Sequence, residues 1–229
     1  GDEETLREKY LEAVDHPDVC IISIATRPDC LSERMYEILA ECKKVGNPDM
    51  VYKFASTSKI SFPGSGIAAL ATSPNNMEDI LSQLTHQTIG HDKVNQLRHV
   101  RFFKDIHGMT EHMKKHANII RPKFEAVLAT LDNRLGGLGI GEWTRPIGGY
   151  FISFDSLPGC AKEIVDKAKK AGVIMTAAGA TWPYGKDPQD SNIRIAPTYP
   201  NLEDLKLAAE LFTLCVRLVS AQKLYNELD

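Results

Sequence analysis

The stretch "FASTSKISFPGSG", residues 54–66, sets a lysine between short hydroxyl side chains and a glycine-rich turn. A lysine destined for open solvent needs no such company. A neutral amine attacks carbonyl carbon, and partial desolvation lowers a lysine's pKa enough to supply one. Ser56 and Ser58 flank Lys59 with hydroxyl donors, while Phe54, Ala55, Ile60 and Phe62 offer apolar surroundings. In "PGSG", residues 63–66, glycine has no Cβ in the way, so backbone N–H groups can approach an anion closely. The spacing predicts an amine beside an anion cradle; an exposed loop lysine is the plainer alternative.

Working outward, "MVYKFA" and "GIAALAT" read as short strands on either side of that segment. Upstream, a helix fits residues 2–14, with Leu6, Tyr10 and Val14 on one face and "DHPD" stopping it. "VCIISIA" at 19–25 reads as a buried strand whose unbroken apolar run suits a parallel sheet covered on both faces. Ser32 can cap a second helix, "ERMYEILAECKKV", ending at Gly46. Downstream, Met77, Ile80, Leu81 and Leu84 form one helical stripe, and Val94 with Leu97 starts the next. A long helix at 109–134 carries Pro122 inside it, which predicts a kink or break. "GGLGIG" at 136–141 reads as a flexible domain connector. After it come a strand "GYFISFD", a helix at 160–171, a strand "GVIMTA", a Gly/Pro loop, a strand "NIRIAP" and a final helix at 201–227. Strands and helices alternate, so the class is α/β. A domain boundary is expected between 105 and 120, dividing 1–110 from 111–229.

A chain of 229 residues can bury a substantial core. Its formal net charge of -3 supplies no global basic field to gather nucleic acid or an anionic membrane. The apolar run at 19–25 is far shorter than the roughly 20 residues that span a bilayer. The five cysteines are odd in number and contain no CxxC pair, which argues against a disulfide scaffold or zinc knuckle. With no charged-then-apolar leader at the start, a reducing, cytoplasmic setting is expected.

An amine beside a phosphate cradle suits pyridoxal phosphate, whose aldehyde takes a Schiff base and whose phosphate takes an anchor. "FASTSKISFPGSG", "GGYFISFD" (148–155) and "AGVIMTAAGATWPYGKDPQDSNIRIAPTYP" (171–200) together resemble the fold-type-I pyridoxal-phosphate enzymes. The likeness is to class I aminotransferases, in a bacterial aspartate-aminotransferase-like branch, over about residues 46–229. It implies part of a mainly parallel large domain, carrying the Schiff-base lysine in 1–110, followed by a linking helix and an α+β small domain in 111–229.

The resemblance further implies that Lys59 bonds the cofactor and shuttles the substrate Cα proton. Ser56, and more weakly Ser58, would donate to the phosphate, and Arg194 would clamp the substrate α-carboxylate. Planar guanidinium matches carboxylate in a bidentate fork, and alternation with Ile193 and Ile195 would turn Arg194 away from the core. Implied substrates are an amino acid and a 2-oxo acid, and the implied assembly is a homodimer.

The sequence departs from the family in two places. Many relatives carry an arginine seven residues after the lysine, where Gly66 stands here. The ring-stacking aromatic, the "NPxG" loop and the pyridinium-pairing aspartate are not visible in residues 1–45, and Asp29 is not assigned that last role. Full relatives are considerably longer, so the sequence reads as a C-terminal half behind a shortened front. A non-catalytic fragment or ligand-binding relic of the same fold is the alternative.

Other patterns read blandly. His112 and His116 have metal-capable spacing, but "HMKKH" reads as a solvated helix face, and no metal site is expected. "RHVRFFK" (98–104) reads as an amphipathic helix face rather than a nucleic-acid patch. Tyr184 is equally well a site-border residue or loop packing.

Overall fold

A computed structural model describes residues 3–17, 32–45, 49 and 51–228. The expected strand at 19–25, Asp29 and the Gly46 helix stop lie outside the described residues. The chain divides into two compact units, residues 1–113 and 114–229. The class is mixed α/β.

Unit one opens with a helical pair, α1 (Glu3–Asp15) and α2 (Glu33–Val45). Both helices are amphipathic, and their apolar stripes bury each other: Met35, Ile38 and Cys42 pack against Leu6, Tyr10, Leu11 and Val14. Ser32 caps α2, its Oγ accepting the Met35 N–H at 3.0 Å. Ion pairs Arg7–Glu41 and Arg34–Glu4 rim the seam.

Next, β1 (Lys53–Ser56) and β2 (Ala68–Ala71) form an antiparallel hairpin in which Phe54 faces Leu70 and Ser56 faces Ala68. The residues of both strands are exposed apart from Leu70, which is half-buried. Helix α3 (Pro74–Gln87) starts where Ser73 Oγ accepts the Asn76 N–H and Pro74 takes the first turn, where a missing N–H costs nothing. Helix α4 (Lys93–Phe103) starts where Asp92 accepts the Asn95 N–H.

Helix α5 (Ile106–Leu135) crosses the division between the units and is continuous through Pro122. Of the kink or break expected there, the helix shows no break, although proline removes one backbone bond from it.

Unit two is built on an antiparallel three-stranded sheet, β3 (Gly141–Trp143), β4 (Ile152–Ser156) and β5 (Asn192–Ile195), in that order. Helices α6 (Ala161–Lys170) and α7 (Leu202–Asn226) complete it. Strand alternation sends Ile152, Phe154, Ile193 and Ile195 to one face, where they meet Leu131 and Leu135 of α5, Ile164 and Ala168 of α6, and Phe212 and Val216 of α7. Phe154 sits at the centre, stacked on Trp143 and edge-on to Phe212.

Two expectations are corrected here. "GVIMTA" is not a strand; residues 173–177 have no regular structure, and Ile174 is exposed. "GGLGIG" is not a connector between the units. It is a turn inside unit two, anchored by buried Leu135 and Ile140, and it uses positive φ at Gly137 and Gly139. A Cβ at Gly141 would lie 2.5 Å from the Phe154 ring, so glycine there lets β3 lie close against the core. The strands described all pair antiparallel.

Candidate functional site

Lys59 sits in a single tight turn at the tip of the β1–β2 hairpin. The Thr57 carbonyl accepts the N–H of Ile60 at 2.9 Å and the N–H of Ser61 at 2.8 Å, with Ser61 Oγ 3.1 Å away. Thr57 also ties the two sides of the loop together: its N–H donates to the Ile67 carbonyl, and its Oγ1 accepts the Ile67 N–H, each at 2.9 Å. Ser56 and Ser58 bring their hydroxyls within 2.7 Å of each other, and the Ser58 N–H donates to Ser56 Oγ at 3.2 Å. These two hydroxyls make a compact polar pair next to the lysine.

Gly64 has φ +73 and open space where a Cβ would stand. Gly66 is different. A Cβ there would lie 3.0 Å from Ser58 Oγ and 3.1 Å from Ser58 Cα. Glycine at this position lets the loop close onto Ser58.

The apolar surroundings expected for Lys59 are incomplete. Lys59, Ser56 and Ser58 are all exposed, and Phe54 is 75% exposed. The reason is architectural: β1 stands in a two-stranded sheet with every one of its residues exposed. Phe62 turns instead into a ring cluster with His99, Phe102, Phe103 and His112. His112 therefore does not lie on a solvated face. It is half-buried, and its Nε2 donates to the Ser61 carbonyl at 3.2 Å.

Under the lysine turn lies a buried polar pair. Ser61 is 2% exposed and His99 3%, with His99 Nε2 2.9 Å from Ser61 Oγ. His99 Nδ1 donates to the Asn95 carbonyl, also at 2.9 Å. Asn95 Nδ2 donates to the Ser65 and Gly66 carbonyls at 2.9 and 3.3 Å. None of Thr57, Ser61, Asn95 and His99 stands out in the sequence. A histidine four residues before Phe103 on an otherwise basic helix is the one available sign.

In unit two, Arg194 lies on the sheet face opposite Ile193 and Ile195, paired across the ladder with Ser153. Its guanidinium carbon is 4.6 Å from the Phe151 ring centroid, and Nη2 is 3.4 Å from Thr176 Oγ1. Nε is buried without a hydrogen-bond partner. Asn192, two residues earlier on the same face, donates to Ser153 Oγ and Asp155 Oδ1 and accepts from Thr181. Asp187 accepts the N–H groups of Asn192 and Ser191 at 2.8 Å and of Gln189 at 3.0 Å. Those backbone donors, Asn192 foremost, hold its carboxyl below the usual carboxylate range. The loop entering β5 is thereby moored. Tyr184, at positive φ, is 96% exposed.

The fold that carries the hairpin lysine and, in unit two, the sheet-borne guanidinium is that of the fold-type-I aminotransferases. Residues 29–227 match the family described as aspartate amino-transferase, and the chain belongs to that family. The aspartate aminotransferase of Corynebacterium glutamicum is 40% identical over 190 residues, covering 83% of this chain and 44% of that protein. A crystal structure from Corynebacterium diphtheriae superposes with a TM-score of 0.84 at 39% identity, covering 96% of this chain and 56% of that one. At 17% identity and a TM-score of 0.70, the α-aminoadipate aminotransferase of Thermus thermophilus shares the fold over 96% of this chain and 55% of its own; it was solved with N-(5'-phosphopyridoxyl)-L-leucine. The chain spans about half the length of the relatives it matches. No helix among the described residues is long and apolar enough to cross a membrane.

Proposed function

We propose that this chain supplies the lysine-bearing and carboxylate-binding parts of a pyridoxal-phosphate-dependent aminotransferase, which moves an amino group from an amino acid to a 2-oxo acid. The observation that carries the reading is the lysine turn: Lys59 held between Thr57 and Ser61, beside two hydroxyls 2.7 Å apart. The hydroxyl pair and the lysine fit the group, because a phosphate takes hydroxyl donors and an aldehyde takes the amine. When bound, pyridoxal phosphate supplies an aldehyde carbon and a ring that absorbs the electrons left at Cα.

In this reading Lys59 Nζ is the nucleophile, and once freed it carries the proton to and from the substrate Cα. Ser56 Oγ donates to a phosphate oxygen, with Ser58 supporting it. Gly66 supplies no side chain to the anion. Arg194 binds the α-carboxylate, and its buried, unpartnered Nε is a donor that a carboxylate oxygen would satisfy. Residues 1–110 act as the large-domain part that carries the lysine, and 111–229 as the linking helix and small domain. The working form is a cytoplasmic homodimer.

The exposure of Lys59 favours a second reading, a non-catalytic relic that keeps the fold. One experiment separates the two. The chain is mixed with pyridoxal phosphate, then with an amino donor and 2-oxoglutarate. A visible absorbance band that is lost in Lys59→Ala, with a new 2-oxo acid formed from the donor, supports transamination. A band with ammonia or CO2 released points to another chemistry on the same lysine. No band leaves the relic.

A further inference from the structure

We propose that Asn95 and His99 of α4 are positioning residues for Lys59, a pair on one helix face that grips both halves of the lysine loop. The assignment of chemistry to Lys59 rests on the function proposed above; the grip itself rests on geometry. Residues four apart on a helix stand one above the other. Here the lower arm, His99, reaches Ser61 Oγ, and the upper arm, Asn95, reaches the carbonyls of Ser65 and Gly66. Ser61 passes the constraint on, because its hydroxyl is also 3.0 Å from Thr57 Oγ1 and 3.1 Å from the Thr57 carbonyl. Lys59 lies between those two residues, so its backbone is fixed from both ends.

The pair answers a difficulty raised by the fold. The hairpin carrying Lys59 is open, and strands without cover hold a side chain loosely. Below the loop, Ser61 and His99 are the most deeply buried polar residues of unit one among those described, and they give it a rigid footing. Polar groups kept from water hold their partners tightly, since breaking the bond strands a desolvated atom. His99 is further wedged by Phe62 and Phe103, with ring centroids 5.8 Å away in each case. The Nδ1 bond to the Asn95 carbonyl orients the ring and leaves Nε2 for Ser61.

The test uses the 229-residue chain. His99→Phe keeps a ring in the cluster and removes both nitrogens, Ser61→Ala removes the partner hydroxyl, and His99→Gln returns a side-chain amide within reach of Ser61. The first readout needs no cofactor: acylation of Lys59 by limiting acetic anhydride, as a ratio to Lys53 on the same hairpin, followed by mass spectrometry. The second is the affinity for pyridoxal phosphate, from borohydride-trapped label on Lys59. His99→Phe and Ser61→Ala are expected to change the acylation ratio roughly threefold and weaken trapping about tenfold, the scale of one buried hydrogen bond. His99→Gln is expected to recover most of both. An unchanged ratio in both variants, or no recovery in His99→Gln, overturns the proposal. If wild type traps no cofactor on Lys59, the proposed function fails, and the acylation ratio still decides the grip. Should His99→Phe not fold, Asn95→Ala cuts only the upper arm and is read the same way.

Discussion

The Arg194 guanidinium lies over the ring of Phe151, with 4.6 Å from Cζ to the ring centroid. The ring contact and the Nη2 bond to Thr176 Oγ1 hold the guanidinium, and Nε is left buried without a partner. Arg194→Lys keeps the charge but loses the planar fork. It is expected to weaken binding of an amino-acid or 2-oxo-acid carboxylate about 10- to 100-fold, the range of a lost charge-assisted pair. Thermal stability should hardly move, since Arg194 faces away from the core. Titration of the cofactor-loaded chain with substrate, beside a melting curve, checks both parts; equal affinity in the variant would remove Arg194 from the proposed site.

Gly66 stands where many relatives place arginine, and the space around it explains why restoring that residue should not help. Any side chain begins with a Cβ 3.0 Å from Ser58 Oγ and 3.1 Å from Ser58 Cα. One of those atoms is backbone and cannot swing aside. Gly66→Arg is expected to displace Ser58 and cost about 1–3 kcal/mol, as overpacking does. Chemical denaturation gives the stability, and borohydride trapping on Lys59 tells whether the cofactor binds better. Tighter trapping with no stability loss would show that the loop opens more easily than its contacts imply.

How much of this is legible in the sequence depends on whether local pattern or tertiary contact decides each feature. Helix ends are readable where a cap residue closes its own turn, as Ser32 does for α2 and Asn201 for α7. The alternation that aims Arg194 off the core is readable from "NIRIA" alone. "GVIMTA" misleads because β propensity says nothing about a free ladder edge, and no described strand pairs with it. His112 misleads because "HMKKH" is polar in sequence, whereas the ring cluster that half-buries it includes Phe62, far away along the chain. The Ser61–His99 bond spans 38 residues and leaves no periodic trace.

Cys42, Cys160 and Cys215 are buried free thiols, and burial pushes each thiol up from its ordinary value. Thiolate is the reactive form, so all three should resist modification in the native state. Labelling with a thiol-disulfide reagent, mapped by mass spectrometry, is expected to run at least about a hundredfold slower at these sites than in denaturant. Rapid native labelling of Cys160 or Cys215 would mean that the core under α6 and α7 opens readily.

Asp187 makes a prediction about acid. Its carboxylate takes three backbone N–H groups at the entry to β5, and their favouring of the charged form depresses its pKa in the folded state. A depressed folded pKa contributes stability that is fully present above the unfolded value, about 3.9, and is lost as pH falls through the folded value. Wild type should therefore lose stability below roughly pH 4 more steeply than Asp187→Ala, whose stability lacks this dependence. At neutral pH the variant should already be less stable, by about 2 kcal/mol or more, because a carboxylate accepting several buried N–H groups is lost. The two acid-unfolding curves are expected to converge as pH drops. Parallel curves down to the lowest pH would mean that Asp187 binds its proton equally in both states, and that the loop entering β5 is held by something other than that carboxylate.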